Sequence, residues 1–218
     1  MKDILKFVLI FIVSYGSFIY LFSLPSVQLF INRSFRTVVE FSVKQALPKA
    51  YIDTQEDQNT DAPFNPNIFY IIYGNPEVIK AEKNFAEKQQ LKEYTISTYS
   101  IQFYIFELFT VPVVFLISLF VATPLQWKIL LRSILISMLI LFALIIGKCI
   151  LLTLFMIANL KIGVYNLNET TLYIVYRVAM MLRLGLSIIV VFCLWLMFGF
   201  KNSVFAIQLS NFLKSFQK

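Results

Sequence analysis

The chain has 218 residues, of which 59% are hydrophobic and only 14% charged, and its mean hydropathy is +0.75. Soluble domains carry about 25% charged residues, and a body of this size cannot hide so much apolar surface in one core. The composition excludes an ordinary water-soluble fold, and the absence of histidine excludes imidazole acid–base catalysis and histidine metal ligation.

The first apolar segment, about residues 4–23, reaches the ~20 residues needed to cross a hydrocarbon core. Tyr15-Gly16-Ser17-Phe18-Ile19-Tyr20 offers no small-x-small cleavage site, so a retained anchor is expected rather than a cleaved signal peptide. Gly16 and Ser17 permit close helix approach there. Residues 24–101 are too many for a plain connector. Within them, residues 26–46 read as an amphipathic helix with Val27, Ile31, Phe35 and Val38 at helical spacing and Arg33, Arg36, Glu40 and Lys44 between them. Such a helix either lies along the outer membrane surface or packs on its neighbours. Pro48 closes it, and Asp53 to Asp61 is acidic and polar with neither the glycine nor the ligand spacing of a calcium loop, so a solvated loop is expected. Ile68 to Tyr73 reads as a strand stopped by Gly74-Asn75-Pro76, Lys80 to Lys92 as a helix, and Tyr94 to Gln102 as a second, alternating strand. Two strands are marginal alone, so support from the amphipathic helix or a partner is expected.

Three further spans follow at about 102–122, 131–158 and 176–200. The three faces formed by the N-terminus, the connection between spans two and three, and the tail carry Lys2, Lys6, Lys128, Arg132, Lys201, Lys214 and Lys218 against Asp3 alone, whereas residues 24–101 hold eight basic and nine acidic residues. The positive-inside rule then places both termini in the cytoplasm and 24–101 outside. The +7 net charge is thus a topology signal. These lysines are dispersed at membrane borders, and no nucleic-acid partner is expected.

Charges within spans are costly and therefore informative. Glu107, Lys148, Arg177 and Arg183 all fall in the outer half of the membrane on these boundaries. Glu107 and Lys148 can neutralise each other. The two arginines have the planar donor fork that suits phosphate or carboxylate, which makes the four residues a candidate anion- or partner-binding cluster. The opposing reading is that the long basic chains snorkel to headgroups. Cys149 adjoins Lys148, but apolar surroundings favour an inert thiol, and Cys149 and Cys193 do not make a metal site or a disulfide framework. No P-loop, zinc-protease or nucleophile-elbow pattern occurs, and six glycines with no related halves speak against a transporter. No cofactor or metal is implied.

Leu119-Phe120-Val121-Ala122-Thr123-Pro124-Leu125-Gln126-Trp127-Lys128 ends one apolar span just before the next opens. This junction resembles the "ATP…W, then basic" junction of small bacterial membrane proteins associated with exosortase systems, which sort surface proteins carrying a C-terminal membrane signal. The resemblance covers about residues 94–150 and rests on Thr123, Pro124, Trp127, Lys128 and Arg132; the denser arginine run of the pattern is missing after Trp127. It implies an accessory role in the bacterial inner membrane beside an exosortase-like enzyme. The enzymes of those systems resemble one another in a cysteine, arginine and histidine set; Cys149, Arg177 and Arg183 stand here without a histidine, so this chain is not expected to be the transpeptidase.

The expected fold is an all-α membrane protein of four transmembrane helices with a small α+β extracytoplasmic insertion between helices 1 and 2. Its parts are a first helix over 1–23, an outer domain over 24–101 and a three-helix membrane domain with a cytoplasmic tail over 102–218. The leading function is a non-enzymatic accessory or scaffold protein of a cell-envelope system, with the bilayer and a membrane protein as partners. The alternative is a protein that binds or acts on an anionic lipid-linked substrate through Arg177, Arg183 and Lys148, with Glu107 as acid or base.

Overall fold

A computed structural model describes residues 2–57, 65–90, 94–183 and 186–203. Helices predominate, with one small sheet. In chain order the elements are α1 (Lys2–Phe22), α2 (Pro25–Ala46), β1 (Tyr51–Glu56), β2 (Ile68–Gly74), α3 (Pro76–Lys88), β3 (Tyr99–Tyr104), α4 (Val111–Ala122), α5 (Trp127–Asn159), α6 (Glu169–Arg183) and α7 (Leu186–Leu194). Wide π-turns at Phe106–Thr110 and Trp195–Gly199 extend α4 and α7. The chain forms two compact units: α1, Phe106–Leu144 and the segment from α7 onward make one, and Pro25–Ile105 with Ile145–Leu184 make the other.

Among the described residues two helices are long and apolar enough to cross a membrane: Ile4–Phe22 in α1 and the whole of α5. At 33 residues α5 is about 50 Å long, well beyond a ~30 Å hydrocarbon core. Phe106–Ala122 and Ser187–Gly199 are shorter apolar helices. The predicted second span therefore starts late, because β3 runs through Tyr104. Pro112 has no N–H to offer the Leu108 carbonyl, and the chain widens into the π-turn just before it. The predicted fourth span falls on α6, which already opens at Glu169, and on α7; residues 184 and 185 between them lie outside the described residues. Asn168 starts α6 by accepting from the Thr171 N–H at 2.8 Å.

The outer segment is a three-stranded antiparallel sheet in the order β1-β2-β3, with Thr54 opposite Ile71 and Ile71 opposite Ile101. One face carries Ile52, Thr54, Phe69, Ile71, Tyr73 and Phe103, all buried. α2 covers this face with Asn32, Phe35, Val39 and Val43, and the rings of Phe35 and Phe69 meet edge to face. The helix was expected; its buried face was not. Val38 is exposed, and the seam passes through Val39 and the polar Asn32 instead.

The larger correction is β1. Asp53 to Glu56, expected in a solvated loop, form an edge strand. Alternation sends Thr54 and Glu56 toward α2, where Thr54 donates to Glu40 at 2.6 Å and Glu56 lies 3.0 Å from Arg36 and 3.6 Å from Arg33. The polar strand is stabilised by polar partners on the helix above it. Residues 58–61 of the same run lie outside the described residues. β2 forms where expected, whereas β3 starts at Tyr99, not Tyr94. Ahead of it, both the N–H and the hydroxyl of Ser97 are held by Glu82 of α3.

Candidate functional site

The sequence singles out two groups of residues, and the structure treats them differently. Of the junction residues, Thr123 joins a packed aromatic cluster. α4 ends at Ala122, and Thr123 turns extended (φ −82°, ψ 125°) ahead of Pro124, as a residue before proline must. The Thr123 side chain is buried; its hydroxyl donates to the Leu119 carbonyl at 2.6 Å and accepts from Trp195 Nε1 at 2.8 Å. The Trp195 ring lies within 6 Å, centroid to centroid, of Phe7, Phe192 and Phe200. A Cβ on Gly199 would come within 2.9 Å of both Phe120 and Trp195, so a hydrogen is required there. Ser133, nearly two turns beyond the start of α5, donates to the Phe198 carbonyl at 3.0 Å. Pro124, Trp127, Lys128 and Arg132 remain exposed. Trp127 is 70% accessible, which suits a headgroup-level tryptophan beside two cations.

Trp195, Gly199 and Ser133 were not anticipated. The available signal was an indole at the end of an apolar run, since a buried Trp N–H needs an acceptor; nothing local named Thr123 as that acceptor.

The four charged residues divide between the two compact units. Glu107 sits exposed in the first π-turn, in one unit. Lys148, half-buried on α5, Arg177 and Arg183 belong to the other. Arg177 is exposed and engaged locally: its Nε donates to the Tyr173 hydroxyl at 2.8 Å, with the guanidinium 5.0 Å from that ring. Arg183 ends α6, and its side chain lies outside the described residues. Cys149 is buried and Cys193 exposed.

A third group, unforeseen from sequence, ties the outer layer to the connection between α5 and α6. The Asn75 amide donates to the Ile162 carbonyl at 3.2 Å while its Oδ1 caps α3 by accepting from the Glu77 N–H at 2.9 Å. Gly163, at φ +86°, takes the left-handed conformation beside the Asn75 amide. The Lys49 N–H donates to the Tyr165 hydroxyl at 3.2 Å. All of these residues belong to one compact unit.

Electrostatics in the outer layer are structural. Burial raises the Glu40 carboxyl, but hydrogen bonds from Lys44 and Thr54 outweigh it and hold the group below its ordinary value. Lys44 is raised, chiefly by its bond to Glu40 at 2.5 Å. The two bonds from Ser97 lower Glu82. Burial pushes Tyr73 up to about 12. Among the described residues no three His, Cys, Asp or Glu gather as metal ligands. The chain matches no family model, no curated protein and no solved structure.

Proposed function

We propose that the chain is a four-pass, non-enzymatic accessory protein of a bacterial cell-envelope system, with both termini cytoplasmic, residues 24–101 outside, and an exosortase-like membrane enzyme as partner. The observation that carries the topology is the bonding of Ile162 and Tyr165 to Asn75 and Lys49. A chain crossing only through α1 and α5 would leave the outer layer and the segment after α5 on opposite sides of the membrane. Four passes, with Phe106–Ala122 and the α6–α7 region as the additional spans, bring them to the same side. Phe106–Ala122 is short for a span, and a protein-lined path or a locally thinned bilayer accommodates it.

The accessory role is supported by where the polar groups are used. Arg33, Arg36, Glu40, Lys44, Thr54 and Glu56 brace α2 on the sheet, and Arg177 is held by Tyr173. The resemblance at Thr123, Pro124 and Trp127 supplies the sorting-system context.

The test is a mild-detergent pull-down of the tagged chain from its native membrane, with proteins and lipids identified by mass spectrometry. A stoichiometric sortase-like membrane protein is the expected result. A partner-free chain carrying a stoichiometric anionic lipid would overturn the accessory role and return Arg177 and Arg183 to the position of a binding site.

A further inference from the structure

α2 has two long sides. One is closed by the sheet through Asn32, Phe35, Val39 and Val43. The other exposes Phe30 (72%), Phe41 (65%) and Val38 (38%). Phe30 and Phe41 are eleven residues apart, three turns of helix, and so share one stripe. Arg33, Arg36, Glu40 and Lys44 run along one flank of that stripe, three cations against one anion. The opposite face of the sheet exposes Gln55, Ser100, Gln102 and Tyr104 on its edge strands, around the half-buried Tyr70 and Ile72 of β2. Phe30 and Phe41 are more exposed than any apolar side chain of the sheet, so the stronger apolar stripe lies on the helix side.

Chain connectivity says what the apolar side meets. α2 opens at Pro25, three residues after α1 ends, so its first residue lies within about 11 Å of contour length from that candidate span. At the other end, Lys49, three residues beyond α2, is bonded to Tyr165, and nearby Asn75 to Ile162, which is three residues beyond the end of α5. α5 stays apolar through Ala158; with the helix tilted so that its ~50 Å length fits a ~30 Å core, that end lies where the span leaves the hydrocarbon. A 22-residue helix is about 33 Å long. Stood upright, it would carry one end far from the membrane; with both ends held at the boundary, it has to lie flat. β3 fits the same placement, since Ile105 alone separates it from the apolar helix that begins at Phe106.

We infer that α2 is an interfacial helix whose Phe30, Val38 and Phe41 insert into the outer leaflet, laying the α/β layer flat on the membrane with its sheet toward water. The flanking Arg33 and Lys44 then sit at headgroup level, as in helices that bind the membrane plane. The inference rests on the four-pass reading and adds to it an orientation for the outer domain. Packing on the sheet and lying on the membrane are the two sides of one helix.

The experiment uses the full chain in vesicles of phosphatidylethanolamine and phosphatidylglycerol, with Cys149→Ala and Cys193→Ala as background. Nitroxide labels go singly at Phe30→Cys, Phe41→Cys, Gln55→Cys, Gln102→Cys and, as a mid-span control, Leu139→Cys. Collision with apolar oxygen is compared with collision with a water-soluble nickel complex. The expected result is an oxygen-to-nickel ratio at 30 and 41 several-fold above that at 55 and 102 and approaching that at 139. Equal ratios at 30, 41, 55 and 102, with 139 in lipid, would overturn the inference while leaving the membrane reading intact. Protection of 30 and 41 from both reagents would also overturn it, in favour of a protein cover. A water-exposed 139 would instead remove the membrane reading itself.

Discussion

The outer layer and the Trp195 cluster both hold polar side chains inside apolar packing, and they satisfy them differently. In the layer, Asn32 gives both amide hydrogens to carbonyls at the start of β2, Pro66 at 2.6 Å and Ile68 at 3.1 Å, and its Oδ1 has no partner among the described residues. In the cluster, the Thr123 hydroxyl is used in both directions, to Leu119 and from Trp195. The Asn32 bonds reach across more than thirty residues and fix where α2 sits along β2. The Thr123 bond to Leu119 is local, and only the indole brings in a distant element. In the layer a polar side chain sets register between two elements, whereas in the Trp195 cluster one hydroxyl satisfies both its own helix and a distant indole.

The largest expected effect that sharpens this contrast is in the layer. Phe69 is fully buried between Phe35 and Phe103, and Phe69→Ala should cost about 3–5 kcal/mol. Hydrogen exchange in detergent should show β1, β2 and β3 losing protection together while α5 keeps its own. Loss of protection throughout the chain would mean that the two regions are not separately stabilised.

In the Trp195 cluster the sharper change is one methyl group. Gly199→Ala places a carbon 2.9 Å from two rings that are themselves packed, and overpacking of this kind costs about 1–3 kcal/mol. A lowered thermal transition in detergent, with unchanged exchange in β2, is the expected pattern; no shift would mean the cluster is loose.

The smallest effect is electrostatic. Glu40 is lowered from 4.5, so its contribution is in place above that pH and is lost as pH falls through the folded value. Lys44 is raised from 10.5, so its contribution is complete below that value and is lost as pH rises through the folded one. The pair is partly exposed and worth about 0.3–0.5 kcal/mol. Exchange protection of β1 should weaken slightly on acidification below pH 4.5, and Glu40→Gln should abolish that dependence. An unchanged acid dependence in Glu40→Gln would assign it to another carboxylate, with Glu82 the next to test.

How far the fold is legible in the sequence follows the same division. β2 announces itself because Ile68 to Tyr73 is β-branched and aromatic on both faces, as a central strand buried on one side allows. β1 does not, because Thr54 and Glu56 read as loop residues until Glu40, Arg36 and Arg33 are seen opposite them. α2 is legible as a helix but not as a face, since no hydropathy pattern would bury Asn32 and expose Val38. Of the candidate site residues, Thr123 proves to be a packed structural element and Arg177 a locally bonded one, while Trp195 and Gly199 were invisible because their contacts lie more than seventy residues away in sequence.

The most direct measurement is labelling of single cysteines by a membrane-impermeant maleimide, at exposed positions in a background free of Cys149 and Cys193. Four passes predict that Gln55→Cys and Asn166→Cys react in intact spheroplasts, whereas Lys128→Cys reacts only after permeabilisation. Two passes through α1 and α5 predict the reverse at 128 and 166. Labelling of Lys128→Cys from outside, with Asn166→Cys protected, would contradict the proposed topology and with it the placement of the outer layer.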